Sequence, residues 1–388
     1  MFFSNYPGFE AFATTKQQRV FEYAVRNHLA QALALTIAPM AEETPHSIRL
    51  VFGDAPDWKE LVFRDSIVQC IARVNNLVFL GKELMENDEW IRIAVSYSTD
   101  AFVAAKKLAT VPALLRPIMH WFLPECQKIR HQIRRCRELI APEVERRLRD
   151  IENNGGKPRK RVLDSVDWFI GAESGLDPHT TNTLCFAFSD LLDHPEYLKP
   201  LREELVNVYN DVGEWNKATL ANLRLMDSFI KESQRYHPMR EFNMTRVCLK
   251  NVTLSDGHVL PEGALVGFGP VLQSDPSVWP NADMFDGYRF LKLRQQPGDE
   301  NRWQLASTAP EITSFGYGTH ACPGRFFAAN EMKLLMAHLI LHYDWKLPEG
   351  TAKVRHLHNG LDHRPNPMQK VMLRNRTPEI DFVGRSAI

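Results

Sequence analysis

The sequence predicts a mainly α-helical protein with a small β region. Apolar residues recur at spacings of three and four over most of the chain, which is the periodicity of amphipathic helices. One stretch, MTRVCLKNVTLSDGHVLPEGALVGFG, instead alternates polar and apolar residues around SDG and PEG turns, which is typical of short strands. The chain has 388 residues and no internal repeat, so we expect one domain that spans residues 1–388.

The helical segments follow one another along the chain, and several end at residues that break helices. Early segments are TTKQQRVFEYAVRNHLAQALA, FRDSIVQCIARVNNLVFLG and ECQKIRHQIRRCRELIAPEVERRLRDIE, of which the last ends at NNGGKP. Later segments are HPEYLKPLREELVNVYND, NLRLMDSFIKESQRYHP and RFFAANEMKLLMAHLILHY. The apolar periodicity of the final segment predicts a buried helix.

Composition and charge exclude several classes of function. Lys+Arg and Asp+Glu both number 47, so no net charge favours a nucleic-acid partner. The six cysteines include no C-x-x-C pair, which argues against a zinc site or a disulfide framework. No apolar run reaches the roughly 18 residues that cross a bilayer. The N-terminal MFFSNYPGFEAF also lacks the features of a secretory signal, so we expect a soluble or peripherally attached protein.

The stretch FGYGTHACPGRFFA, which begins at Phe315, concentrates the candidate chemistry. Its glycines, among them Gly318 and Gly324, remove side-chain bulk around Cys322 and let the backbone approach a large, flat group. Pro323 suits the first turn of a helix, which predicts Cys322 at a helix N-terminus. Free N–H groups and the helix dipole favour a thiolate there.

The residue types alone leave three roles open for Cys322. It could be a metal ligand, a nucleophile with His320 as its base, or a buried structural thiol. A structural thiol would leave the density of glycines and aromatic residues unexplained. The spacing of the glycines and the apolar helix that follows favour a broad, flat partner over a small electrophile.

The same stretch resembles the haem-binding signature of the cytochrome P450 family, the haem-thiolate monooxygenases. Phe315, Gly318, Cys322 and Gly324 stand at the signature positions. The resemblance covers most of the chain and implies the cytochrome P450 fold, with Cys322 as the axial ligand of the iron in haem b. FRDSIVQCIARVNNLVFLGKELMENDEWI is similar to enzymes of filamentous fungi that tailor secondary metabolites.

Two further motifs match the family. KESQR supplies Glu232 and Arg235 in its Glu-x-x-Arg arrangement, and FDGYRF supplies Arg289, which completes that cluster. As isolated residues, these three would be interpreted as surface charges. The resemblance implies that they form a buried charge cluster that fixes the haem-side core and takes no part in the chemistry.

The resemblance also implies contacts with the haem periphery. Phe315 would pack beside the sulfur and keep water away, while backbone N–H groups would hydrogen-bond the sulfur. His320 stands at a propionate-binding position, and Arg246 in MTRV is a second candidate for that role. The family's tryptophan–arginine propionate clamp has no clear counterpart, and Arg26 is the best remaining candidate for its arginine.

The segment HTTNTLCFAFSDLLDHPEYL resembles the C-terminal half of the family's central, oxygen-activating helix. His179 takes the acidic or polar position, and Thr180 would hydrogen-bond dioxygen and relay protons to it. DPHTT is equally typical of an ordinary helix start with Thr180 as a capping residue. Pro178 stands where the family has uninterrupted helix, which indicates an internal deletion near residues 175–179. Together with an N-terminus that begins well inside the fold, this implies an incomplete fold.

The resemblance implies a monooxygenase that inserts one oxygen atom from O2 into a hydrophobic small molecule, such as a fungal terpenoid, polyketide or alkaloid. Electrons would come from NADPH through a separate NADPH–cytochrome P450 reductase, with cytochrome b5 as a further partner. The family's location would be the cytoplasmic face of the endoplasmic reticulum. Two alternatives stay open: a reductase-independent enzyme that rearranges peroxides, against which Thr180 argues, and a non-catalytic relic, which the missing helix half favours.

Overall fold

Helices make up most of the structure, a computed structural model that describes residues 3, 5–10, 29–153, 178–351 and 356–380. The helices are α1 (Ala30–Phe52), α2 (Phe63–Leu80), α3 (Lys82–Met85), α4 (Asp88–Thr110), α5 (Arg116–Met119), α6 (Pro124–Asn153), α7 (Pro178–Asp193), α8 (Leu198–Val212), α9 (Lys217–Asn222), α10 (Arg224–Tyr236), α11 (Arg289–Leu293) and α12 (Arg325–His342). Short 3-10 turns lie at Pro195–Tyr197, Val271–Gln273 and Gly318–His320.

The strands form one small sheet and three two-stranded ribbons. They are β1 (Lys59–Val62), β2 (Asn243–Val247), β3 (Val252–Thr253), β4 (Val259–Leu260), β5 (Leu265–Phe268), β6 (Tyr343–Lys346), β7 (Leu357–Asn359), β8 (Asp362–Arg364) and β9 (Lys370–Asn375). The sheet has the antiparallel order β1-β9-β6, and the ribbons pair β2 with β5, β3 with β4 and β7 with β8. The predicted fold class, mainly α with a small β region, is confirmed.

The predicted helices and strands lie close to where the sequence places them. The alternating stretch forms β2 to β5, and the long charged segment forms α6, which ends at Asn153. Of the first predicted helical segment, the described residues from Ala30 onwards belong to α1. Residues 175–177 lie outside the described residues, so the expected deletion near residues 175–179 stays a prediction, as does a single domain over residues 1–388.

Helix α12 lies in the main hydrophobic core. Its residues are buried on all faces from Phe327 to Leu341, apart from the half-buried Asn330, and it packs against α1, α7 and α8. A helix that is apolar all round is stable only when other elements enclose it. Because α7 also packs against α10, the core fixes the positions of three helices. Helix α7 carries Thr180, helix α10 carries Glu232, and helix α12 follows Cys322.

None of the helices in the described part of the chain is long and apolar enough to cross a bilayer.

Candidate functional site

The loop that carries Cys322 is closed by its own backbone. The Cys322 N–H donates to the carbonyl oxygen of Phe315 at 2.7 Å, so the ends of the loop meet. Inside it, the Ala321 N–H donates to the Gly318 carbonyl oxygen at 3.1 Å. The Gly316 N–H donates to the Thr313 carbonyl oxygen at 2.9 Å. These bonds hold the half-buried Cys322 in a fixed turn.

Glycine is required in this loop for two different reasons. Gly316 and Gly318 both have φ of 69°, which side chains rarely tolerate. A Cβ atom at Gly316 would lie 3.3 Å from the His320 carbonyl oxygen, whereas one at Gly318 or Gly324 would meet no atom within 4 Å. The loop is therefore tight on the Gly316 side and open beside Gly318 and Gly324, where a large group can approach the backbone.

Helix α12 begins later than the sequence predicts. Its first residue is Arg325 and its N-cap is Gly324, so Pro323 lies outside the first turn. The prediction of Pro323 in that turn is wrong by two residues, because the loop bond to Phe315 and the extended backbone of Ala321 delay the entry into the helix. Cys322 nevertheless lies just before a helix N-terminus. The Arg325 guanidinium donates to its carbonyl oxygen at 2.9 Å, which places a cation beside the loop.

Glu232, Arg235 and Arg289 are brought together in one buried cluster. Arg235 binds both carboxylate oxygens of Glu232, at 2.8 and 2.7 Å, and Arg289 Nε lies 3.1 Å from each of them. Arg235 Nη1 also donates to the carbonyl oxygens of Gln273 and Ala282. The two arginines and the carboxylate are thus desolvated but hydrogen-bonded, which is the condition under which buried charges are tolerated.

Hydrogen bonds connect this cluster to the cysteine loop. The Gln234 carbonyl oxygen accepts from Ser314 Oγ at 3.3 Å and from Gln273 Nε2 at 3.1 Å. On the neighbouring strand β2, Asn243 Nδ2 donates to Thr313 Oγ1 at 3.3 Å. Helix α10 and strand β2 therefore hold the two residues that precede Phe315, and this fixes where the loop begins.

The candidate oxygen-activating residues lie at the start of α7. The described part of the helix begins at Pro178, and the half-buried Thr180 is the third residue of that part. The side chain of His179 lies outside the described residues. The roles of Thr180 and His179 stay predictions.

The two proposed propionate ligands are both exposed to solvent. His320 ends the 3-10 turn of the cysteine loop, and Arg246 lies on β2. Arg246 Nη1 donates to the carbonyl oxygen of its neighbour Thr245 at 2.9 Å, and no structural element buries its guanidinium. Arg26 lies outside the described residues.

Sequence reasoning missed a polar cavity beside the loop. It is lined by residues of α7, of α10 and of the segments that follow α10 and precede Phe315. His237 lines it and contacts Asp190 of α7, with 2.7 Å between Nε2 and Oδ1. The only sequence signal is the position of His237 directly after the Glu-x-x-Arg helix. Nothing in the spacing of the chain pairs it with Asp190.

A buried carboxyl on α12 was also missed. Glu331 lies in apolar surroundings, and burial holds the pKa of its carboxyl well above the usual range. It is nine positions after Cys322 in a segment that otherwise has the pattern of an apolar helix. Because burial favours the neutral form of the carboxyl, the helix can bury it without a compensating cation.

Metal coordination by several protein ligands finds no support in the described part of the chain. No group of three or more His, Cys, Asp or Glu side chains there could hold a metal ion. A metal at Cys322 would take one protein ligand and draw the others from a non-protein group. Haem iron is bound in this way, and the open space at Gly318 and Gly324 admits a flat macrocycle. The residues of the loop fit haem.

Comparison with known proteins assigns the family. The cytochrome P450 family model matches residues 175–371. Cytochrome P450 monooxygenase 1 of Gibberella fujikuroi is 36% identical over 399 residues, which cover 98% of this chain and 90% of the relative. Cytochrome P450 monooxygenase calE of Penicillium decumbens is 36% identical, with coverage of 96% and 75%.

A solved structure supports the fold. The retinoic acid-bound cyanobacterial CYP120A1 has a TM-score of 0.65 and 19% identity, over 94% of this chain and 80% of that chain. At that identity the match concerns the fold alone. The curated relatives are named monooxygenases, and the family's cofactor is haem. The chain therefore belongs to the cytochrome P450 family of haem monooxygenases.

Proposed function

We propose that this chain inserts one oxygen atom from O2 into a hydrophobic small molecule of fungal secondary metabolism, of the terpenoid, polyketide or alkaloid class. The observation that carries the proposal is the loop of Cys322, in which the backbone at two glycines borders open space, while no group of three or more His, Cys, Asp or Glu among the described residues could hold a metal ion. The similarity to named monooxygenases of fungi such as Penicillium decumbens supports the reaction type.

Within this proposal the cysteine loop holds the haem. Cys322 would bind the haem iron through its thiolate, which is favoured by the position of Cys322 just before a helix N-terminus and by the nearby Arg325. Bound there, haem would supply the activation of oxygen. Phe315 would shield the sulfur, and the backbone at Gly318 and Gly324 would leave room for the macrocycle.

Other residues would bind the haem propionates and form the oxygen pocket. His320 and Arg246, both exposed cations or potential cations, bind the propionates. Thr180 hydrogen-bonds in the oxygen pocket and passes protons inward, with His179 beside it in the chain. This placement is supported by α7, which packs against both α10 and α12.

Electrons come from NADPH through a separate NADPH–cytochrome P450 reductase, with cytochrome b5 as a further donor. We propose that the chain works at the cytoplasmic face of the endoplasmic reticulum, where such reductases lie. Its balanced charge of 47 basic and 47 acidic residues argues against a nucleic-acid partner.

The carbon monoxide difference spectrum of the reduced protein tests the proposal. The parent is expected to give the red-shifted Soret band of thiolate ligation, and Cys322→Ser to lose it. Cys248→Ser is the matched control, because Cys248 is also half-buried and lies on a loop between strands. A parent without the red-shifted band, or equal losses in the two variants, would overturn the assignment of Cys322.

One observation favours a second candidate, a haem-binding relic without catalytic activity. Pro178 lies only two positions before Thr180, where the family has uninterrupted helix, and a proline inside a helix breaks it. NADPH consumption and product formation with an added reductase and an extract of fungal metabolites separate the two. A thiolate spectrum with no product under these conditions would favour the relic.

A further inference from the structure

The polar cavity beside the cysteine loop is small, with a volume of about 20 Å³, and opens to solvent. Its lining combines α7, α10 and the segments around them, and consists of Thr183, Phe186, Ser233, Gln234, His237, Pro238, Met239, Asn243, Gln273 and Ser314. Most of these side chains carry hydrogen-bonding groups. The cavity is therefore suited to hold water.

Two buried polar atoms at this cavity have no hydrogen-bond partner among the described residues. They are Ser233 Oγ and Gln234 Oε1, in residues that are 0% and 5% exposed. An unpaired buried polar group costs about 1–3 kcal/mol, and ordered water is the usual way in which proteins satisfy it. We expect water molecules at both atoms.

His237 and Asp190 form a carboxylate–imidazole pair at the same cavity. Their 2.7 Å contact joins the end of α10 to α7, and Phe186 stacks on the imidazole at 4.8 Å with the planes 10° apart. His356 lies edge-on to the ring at 4.7 Å. The ring is thus fixed in orientation. The contact with Asp190 engages Nε2 and leaves Nδ1 for proton exchange.

We propose that His237 delivers protons to the haem side of this cavity through water bound at Ser233 and Gln234. The inference rests on the proposed function. Thr183 lines the cavity and lies three residues after Thr180, on the same face of α7. The cavity therefore borders the helix face that carries the oxygen-pocket threonine. Ser314 directly precedes Phe315, so the cavity also borders the cysteine loop.

The proton transfer is balanced without a further reactant. The imidazolium of His237 gives one proton to the bound water, and that water passes one on towards Thr180. Solvent at the cavity mouth returns a proton to the ring. Asp190 keeps its negative charge throughout. A route of this kind fits a chain in which His179, and no carboxylic acid, precedes Thr180.

The test compares His237→Gln and Asp190→Asn with a matched control, His194→Gln. His194 also contacts a carboxylate, that of Glu196 at 3.3 Å, but it directly follows the C-terminal end of α7 and does not line the cavity. With NADPH, O2 and an added reductase, we expect both cavity variants to release on the order of tenfold more hydrogen peroxide per NADPH, since protons arrive too slowly. Their solvent deuterium isotope effect should rise as well, and the control should match the parent.

The outcomes separate this inference from the proposed function. If the parent lacks the thiolate spectrum, the proposed function is wrong. A parent and variants that share an intact spectrum, peroxide yield and isotope effect overturn the proton path alone. If His237→Gln does not fold, Asp190→Asn, which keeps a hydrogen bond to the ring, still tests it. A high-resolution crystal structure gives a readout independent of turnover: water at Ser233 Oγ and Gln234 Oε1 supports the path, and a dry cavity overturns it.

Discussion

The buried charge cluster and the cysteine loop are adjacent, yet they differ in how their polar groups are satisfied. In the cluster, Glu232 and its two arginines find partners within the chain, including several backbone carbonyl oxygens. In the loop, the backbone is closed by its own hydrogen bonds, but Cys322 is half-buried and two glycines face open space. The first region is complete as a folded polypeptide, and the second has room for a group that the polypeptide does not supply.

This difference teaches that the two signature motifs have separate physical tasks. Ser314 and Thr313 are held by α10 and β2, so the cluster fixes the start of the loop without touching the thiol. Damage to the cluster should therefore appear in the free energy of unfolding. Damage to the open side of the loop should appear in haem affinity. Five substitutions test this division.

The largest expected effect comes from Arg235→Leu. It removes both hydrogen bonds from Arg235 to Glu232 and leaves the carboxylate with Arg289 alone, in a site where Glu232 is 0% exposed. Breaking a buried pair in this way costs about 3–5 kcal/mol. Urea denaturation should show a loss of that size.

Arg240→Leu is the matched control for this variant. Arg240 pairs with Asp362 at 3.2 Å, but its side chain is largely exposed, so its loss should cost less than about 1 kcal/mol. Equal losses in the two variants would contradict the distinction between the buried cluster and an ordinary surface pair.

Lys231, next to Glu232, gives a pH-dependent test of the same buried region. Burial lowers the pKa of its ammonium group to about 8, although Asp227 opposes the shift, and its Nζ donates to the Ser307 carbonyl oxygen at 2.9 Å. The unfolded chain keeps this proton up to a pKa near 10.5. Between these values the unfolded state binds more protons, so this group's contribution to stability rises with pH.

Lys231→Met removes that contribution. The free energy of unfolding of the parent, relative to the variant, should rise by about 2 kcal/mol between pH 7 and pH 9.5. Paired urea titrations at the two pH values measure it. A difference between parent and variant that stays constant with pH would show that Lys231 is not desolvated in the folded protein.

The sequence predicted motifs well and contacts between distant segments poorly. Glu232 and Arg235 share a helix face at a spacing of three, and the glycines around Cys322 indicate an open loop, so both could be inferred from local patterns. The contact of His237 with Asp190 depends on how α7 packs against α10, and no local pattern encodes that packing. The start of α12 was placed too early because the bond from Cys322 to Phe315 competes with helix formation.

Gly318→Ala examines the open side of the loop, with Gly213→Ala as its control. Both glycines have positive φ, 69° and 82°, and a Cβ atom at either would meet nothing within 4 Å. Backbone strain should thus cost both variants a similar amount, about 1–2 kcal/mol in urea denaturation. Only at Gly318 does the new methyl group project towards the proposed haem.

Haem transfer to apomyoglobin separates the two variants. Gly318→Ala should lose haem about tenfold faster than the parent, because overpacking at a filled site costs at least about 1 kcal/mol. Gly213→Ala should keep the rate of the parent. Equal rates in the two variants would mean that the space beside Gly318 is not where the macrocycle lies.

The smallest expected effects come from His320→Gln and Arg246→Gln, at the exposed edge of the proposed site. Solvent screens an exposed pair, so each contact with a propionate is worth about 0.2–1 kcal/mol, which corresponds to haem loss roughly 1.4- to 5-fold faster. High salt should shrink the difference further. His258→Gln is the control, since His258 is exposed on the β3–β4 ribbon and contacts Asp256. If either edge variant releases haem no faster than this control, that residue does not bind a propionate. Haem binding then depends on Cys322 and the glycines of its loop.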